Sequence, residues 1–161
     1  MSDRDQQTSH AGDPRHPQHD QWLLELGRAT YAASKVAGIC FDLARVLGGV
    51  DSASMYSDPM GTLVNRLRPL AKKGTVPGLE KFVSLADSAR DDRNDLVHAL
   101  PVQSGLHRRT SGDLGYVRNF FEVDQLAAVT RSLTEVALAG NQLLYQDDGA
   151  AVAAWYAKSS Q

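Results

Sequence analysis

The chain has 161 residues, 42% hydrophobic and 22% charged, with a net charge of -2. That length and balance fit one globular domain with a core of its own. They exclude a general nucleic-acid coat, which needs a strong positive field, so any nucleic-acid contact must come from a local patch. The lone cysteine, Cys40, excludes an internal disulfide and sits in an apolar helical repeat as a small hydrophobe. A polar N-terminus without a signal-like apolar run, and no stretch of about 18 apolar residues, point to a cytoplasmic protein with no membrane partner.

Residues 1–19 are rich in Asp, Gln, His, Pro and Ser, with no large apolar side chain beyond Met1. Such a segment buries too little surface to offset its ordering entropy and is expected to be a disordered, solvated tail. His10, His16 and His19 offer at most weak metal chelation there. The domain proper runs over 20–161. Trp22, Leu26, Ala29, Ala33, Val36, Cys40, Leu43 and Leu47 recur at steps of four and three, one face of a long helix capped by Asp20 and stopped at Gly48-Gly49. Gly27 and Gly38 lower its propensity and suggest close approach by a neighbouring helix. A second helix opens at Asp58-Pro59, with Leu63, Leu67 and Leu70 on its apolar side. Pro69 means that it is short, kinked there or ends there, and Lys72-Lys73-Gly74 reads as its end.

The third helix starts near Thr75 to Pro77. Leu79, Phe82, Val83, Ala86, Ala89, Leu96, Val97 and Leu100 line one stripe, and Pro101 ends it. Leu106–Arg109 and Gly115–Phe121 flank the turn-like Thr110-Ser111-Gly112-Asp113, a candidate β-hairpin. The last long helix covers about 123–146, with Leu126, Val129, Leu133, Val136, Gly140 and Leu143 at heptad-like steps. The segment AAVAAWYA after Gly149 is expected to dock Trp155 and Tyr156 on the bundle. The fold class is all-α: an antiparallel four-helix bundle with a small β-hairpin between the third and fourth helices.

The chemically pointed stretch is Arg93-Asn94-Asp95-Leu96-Val97-His98. Arg93 falls seven residues from both Ala86 and Leu100, near the middle of the apolar stripe. A charge there is costly unless it is paired or faces a wet cavity. Asn94 and His98 are four apart and share another face, while Arg93 and His98 differ by about 140° in direction. A long Arg side chain can still reach the His ring, in its own chain or in a partner subunit.

This stretch resembles the R-x4-6-H motif of HEPN domains, including the polar residue directly after the Arg and the place near the end of a late bundle helix. The resemblance covers the bundle from about 20 to 146, with the six residues above carrying the motif. It implies a homodimer in which two motifs meet, and a metal-independent endoribonuclease with no cofactor. In that family role His98 is general base or acid, Arg93 the phosphate clamp and Asn94 the orienter. The chemistry suits the residue types. An imidazole titrates near neutrality, a guanidinium binds the growing charge on phosphorus, and attack by a 2'-OH confines the substrate to RNA. A toxin or defence effector with an antitoxin or regulatory partner fits this reading.

Two other readings stand beside it. Arg93 can close a buried salt bridge to Glu25 or Asp42, with His98 a dipole-favoured helix end. The domain is then a non-catalytic homodimer that binds a protein or nucleotide partner, or a purely structural bundle. Around the hairpin, His107, Arg108, Arg109 and Arg118 form a small basic cluster suited to RNA backbone, and Tyr116 and Phe120 offer stacking faces for bases. Equally, Phe120 and Phe121 seal the bundle end and the arginines are solvated. Asp92 and Asp95 face away from Arg93, whereas Asp91 lies near His98 in direction. No metal set, Gly-rich phosphate loop, Cys pair or Ser elbow is present.

Overall fold

The computed structural model describes residues 9–48, 52–102, 105–108 and 120–145. In chain order they form α1 (His19–Gly48), α2 (Ser52–Met55), α3 (Met60–Lys72), α4 (Leu79–Val97), β1 (Leu100–Val102), β2 (Gly105–His107) and α5 (Val123–Tyr145). The architecture is the all-α bundle that the apolar periodicities imply: α1, α3, α4 and α5 are its long elements. α1 packs along α5 and α3, and α4 packs against α3 and α5. None of the described helices is long and apolar enough to cross a membrane.

Most positions of each stripe are buried where the spacing puts them, with Leu26 and Leu70 half-buried. Leu43, Leu67, Phe82, Leu126 and Leu133 are fully enclosed, from four different helices. Burial of side chains this size contributes about 1.5–3 kcal/mol each, which is what holds the helices together. The closest crossing is at Gly140 on α5. A Cβ there would collide with Ile39 Cγ2 of α1 and come within 2.8 Å of the Phe82 ring of α4. Gly27 and Gly38, expected to admit a neighbouring helix, do not. Nothing lies within 4 Å of a Cβ at either, because both sit on the outer side of α1, opposite the buried stripe.

Several local features depart from expectation. Pro69 does not end its helix at once: α3, a short helix of 13 residues, runs on to Lys72, since a proline near a helix end removes one bond only, and the Lys73 N–H closes on the Pro69 carbonyl at 3.3 Å. Asp58 does not cap α3; it holds Arg66 at 2.8 Å. A hairpin that the turn residues did not announce precedes the expected one. β1 pairs with β2 antiparallel, Leu100 opposite His107 and Val102 opposite Gly105, and the return segment meets β2 through one bridge, His107 to Phe120. Val97 is 51% exposed rather than part of the buried stripe, because α4 ends there. The Thr110–Asp113 turn and the segment bearing Trp155 and Tyr156 lie outside the described residues.

The largest correction concerns the N-terminus. Residues 9–18, expected in a solvated tail, form successive turns that lead into α1: Asp13 N–H to the His10 carbonyl, His16 to Asp13, His19 to His16, at 2.8–3.0 Å. Ala11 and Asp13 are buried, at 1% and 4% exposure. Polar anchoring, which a count of apolar side chains does not register, holds this segment in place. Asp13 receives Arg15 Nε at 3.0 Å, Nη2 at 2.6 Å and the Arg15 backbone N–H at 2.9 Å. Those donors hold the Asp13 carboxyl well below the usual carboxylate range.

Candidate functional site

Arg93 sits on the inward face of α4 between buried Ala89 and Leu96, and is itself half-buried. Its Nη1 donates to Asn94 Oδ1 at 3.2 Å, and its Nε is enclosed with no hydrogen-bond partner. Neither acid proposed to neutralise it does so: Glu25 takes Arg28 at 2.6 Å, and Asp42 stands 3.8 Å from Arg45. Among the described residues Arg93 has no carboxylate partner. Its charge reaches into the core far enough to act on Cys40. Burial pushes that thiol up to about 12, with Arg93 pulling weakly the other way. Cys40 is therefore an inert packed thiol.

His98 caps α4 at its C-terminus with φ -102° and ψ 5°, its N–H donating to the Asn94 carbonyl at 3.0 Å. The side chain is exposed, and its ring makes no hydrogen bond or ion pair with another described residue. The structure thus brings Arg93 and Asn94 into contact and leaves His98 on the rim beyond them. Asp91 points outward, 82% exposed and 3.4 Å from Arg90 Nε. Beside this rim, Leu26, Ala33, Leu96, Val97 and Leu106 line a groove of about 480 Å³ between α1, the end of α4 and β2.

The basic cluster divides. Arg108 is engaged on both sides: Nη2 donates to Asp95 at 2.6 Å, and the guanidinium lies 5.0 Å from the centre of the Phe121 ring. It clamps the hairpin to α4. His107 meets Phe120 edge-on at 5.7 Å, with its Nε2 buried and unpartnered. Arg109, Tyr116 and Arg118 lie outside the described residues. Phe121 does seal the bundle end, and its carbonyl accepts from Trp22 Nε1 at 2.6 Å.

A second constellation went unseen in the sequence. Glu122, directly before α5, turns its carboxylate away from the helix and onto the N-terminal strap. His10 Nδ1 lies 2.7 Å from Oε1, and the Ala11 N–H donates to Oε2 at 3.2 Å. The His10 ring stacks on Phe120, centroids 4.0 Å apart and planes 24° from parallel. Gly12 of the strap comes within 3.3 Å of where a Cβ would stand on Gly105, whose φ of 139° also favours glycine. The contacts span more than 100 positions, so no local pattern signals them. No group of three or more His, Cys, Asp or Glu among the described residues is placed to hold a metal ion.

No family model, curated protein or solved structure matches the chain.

Proposed function

We propose that the chain is a metal-independent endoribonuclease of HEPN type, working as a homodimer, with Arg93, Asn94 and His98 as its reacting groups. The observation that carries this reading is Arg93: a half-buried guanidinium on the inward face of α4 with no carboxylate partner among the described residues and only a neutral amide for company. Leaving such a group unmatched destabilises the fold, and sites of this kind cluster where a ligand supplies the missing partner. A phosphate is that partner. Asn94 fixes the guanidinium, and His98 on the adjoining rim is open to solvent.

In the reaction, His98 takes the proton from a ribose 2'-OH, and that oxygen bonds to the neighbouring phosphorus. The bond from phosphorus to the 5'-oxygen breaks, and the leaving oxygen takes up a proton. The products are a 2',3'-cyclic phosphate and a 5'-OH end. Arg93 binds the charge that gathers on the non-bridging oxygens. Because Arg93 and His98 diverge by about 140° on one helix, a second copy supplying the opposing imidazole completes the site. Exposed Val97 beside His98, with Leu23, Leu24 and Tyr31 on α1, offers apolar surface for that association. A toxin or defence role with an antitoxin partner belongs to the same proposal.

The competing reading, a non-catalytic homodimer that holds a protein or nucleotide in the same place, is separated by one assay. Purified chain with EDTA is incubated with total tRNA and mRNA, alongside Arg93→Ala and His98→Ala forms, and the fragment ends are analysed. Cyclic-phosphate ends from the wild type alone support cleavage. Intact RNA with a dimer in sedimentation refutes it.

A further inference from the structure

The contact between the N-terminal strap and the start of α5 has the form of a recognition event. A flat heterocycle, His10, lies on the face of Phe120. Two N–H donors, His10 Nδ1 and the Ala11 amide, point at the two oxygens of one carboxylate, one donor to each. An ionised carboxylate only accepts, so Nδ1 must carry its proton toward Glu122. Glu122 is 42% exposed and His10 19%, so the pair lies at the surface and can be reached from solvent.

Among the nucleobases only guanine reproduces this pattern. Its N1–H and N2 amino group are adjacent donors on one edge, matched to a carboxylate fork. Adenine and cytosine each set an acceptor beside their amino donor, and uracil flanks its one N–H with carbonyls, so each turns a lone pair toward a carboxylate. Every base has a face to stack on a phenyl ring, so stacking adds affinity and the carboxylate adds selection. His107 meets the same ring edge-on at 5.7 Å, with its Nε2 buried and unpartnered. The platform is at the His98 end of the bundle, since β1 begins two residues beyond His98 and Leu100 pairs with His107.

We propose that Phe120 and Glu122 form a site for an unpaired guanine base, and that His10 and Ala11 of the chain's own strap occupy it as an intramolecular mimic. The strap is then a competitive lid: the base enters as His10 leaves. This deepens the ribonuclease reading by naming the base the RNA presents, and it rests on that reading for its biological ligand, but base binding itself does not require cleavage.

The test uses the full chain and 5'-mononucleotides, which have no bond for this chemistry to break. GMP, AMP, CMP and UMP are titrated by calorimetry into the wild type, His10→Ala, and His10→Ala combined with Glu122→Gln. Removal of the mimic is expected to tighten GMP binding roughly tenfold, and Glu122→Gln to remove the preference for GMP over AMP. Equal GMP affinity in wild type and His10→Ala, or no preference among the bases, overturns the proposal. If His10→Ala fails to fold, the wild type decides. Saturating GMP must shift the His10 ring protons as they leave the Phe120 ring, and unmoved resonances overturn it. GMP binding with intact RNA would sink cleavage alone, and cleavage without guanine preference would sink the lid alone.

Discussion

Two arginines, 15 positions apart in sequence, lie at the same end of this bundle, and they differ in whether a carboxylate meets them. Arg108 is matched twice, by Asp95 at 2.6 Å and by the Phe121 ring at 5.0 Å. Arg93 is matched by one neutral amide at 3.2 Å and by no carboxylate among the described residues, although both arginines leave an enclosed Nε without a partner. The hairpin region uses its charge to hold the fold. The last turns of α4 hold a charge that no carboxylate among the described residues offsets. The contrast teaches that a cation's partners, more than its placement in a motif, show which charge the fold already uses.

The sharpest way to break that contrast is kinetic. Arg93→Ala and His98→Ala are each expected to lower RNA cleavage by roughly 100-fold or more, while Arg108→Ala leaves the rate of folded protein within roughly a few-fold. A comparable loss from all three would erase the distinction between the two regions. Packing supplies the next largest effect. Gly140→Ala drives a methyl into Ile39 and Phe82 and should cost about 1–3 kcal/mol in urea unfolding, far from either arginine.

Stability then sorts the two arginines in the reverse order from activity. Arg108→Ala loses a half-buried ion pair and a ring contact, about 1 kcal/mol. Arg93→Met keeps the volume and removes an unmatched polar group, so the urea midpoint is expected to stay or rise. A large fall for Arg93→Met would mean that the guanidinium is structural after all. The smallest effect lies in the strap. Arg15 keeps Asp13 ionised in the folded chain at pH values where the unfolded chain protonates it. Its stabilising contribution is therefore complete above about pH 5, beyond the unfolded carboxylate range. It is lost as pH falls from there toward the lowered folded value. Proteolysis between His10 and His16 should accelerate over that acidic range, and Asp13→Asn should abolish the pH dependence.

The sequence made the bundle readable because its information is periodic. Leu43, Phe82, Leu126 and Leu133 repeat at helical spacing, and all four are fully enclosed. The placement of Arg93 within the α4 stripe was legible for the same reason. What stayed hidden depends on contacts between distant residues. Nothing near His10 in the chain announces that it will lie on Phe120, and nothing near Glu122 says that it will face the strap rather than its own helix. The β1–β2 pairing was not legible because Pro101 read as a helix stop and not as a strand residue. The fate of Arg93's partners was equally illegible: Glu25 and Asp42 stood at plausible positions on α1, and each is taken up by an arginine three residues on.

The most direct measurement is metal-free cleavage of a labelled RNA against the same RNA with one 2'-deoxy nucleotide at the cut site. Wild type is expected to cut the first to a 2',3'-cyclic phosphate and to spare the second, and Arg93→Met, though folded, to spare both. Cleavage that persists without the 2'-OH, or an all-ribose strand left whole, would contradict the assignment of Arg93 and His98 as a phosphate-cleaving pair.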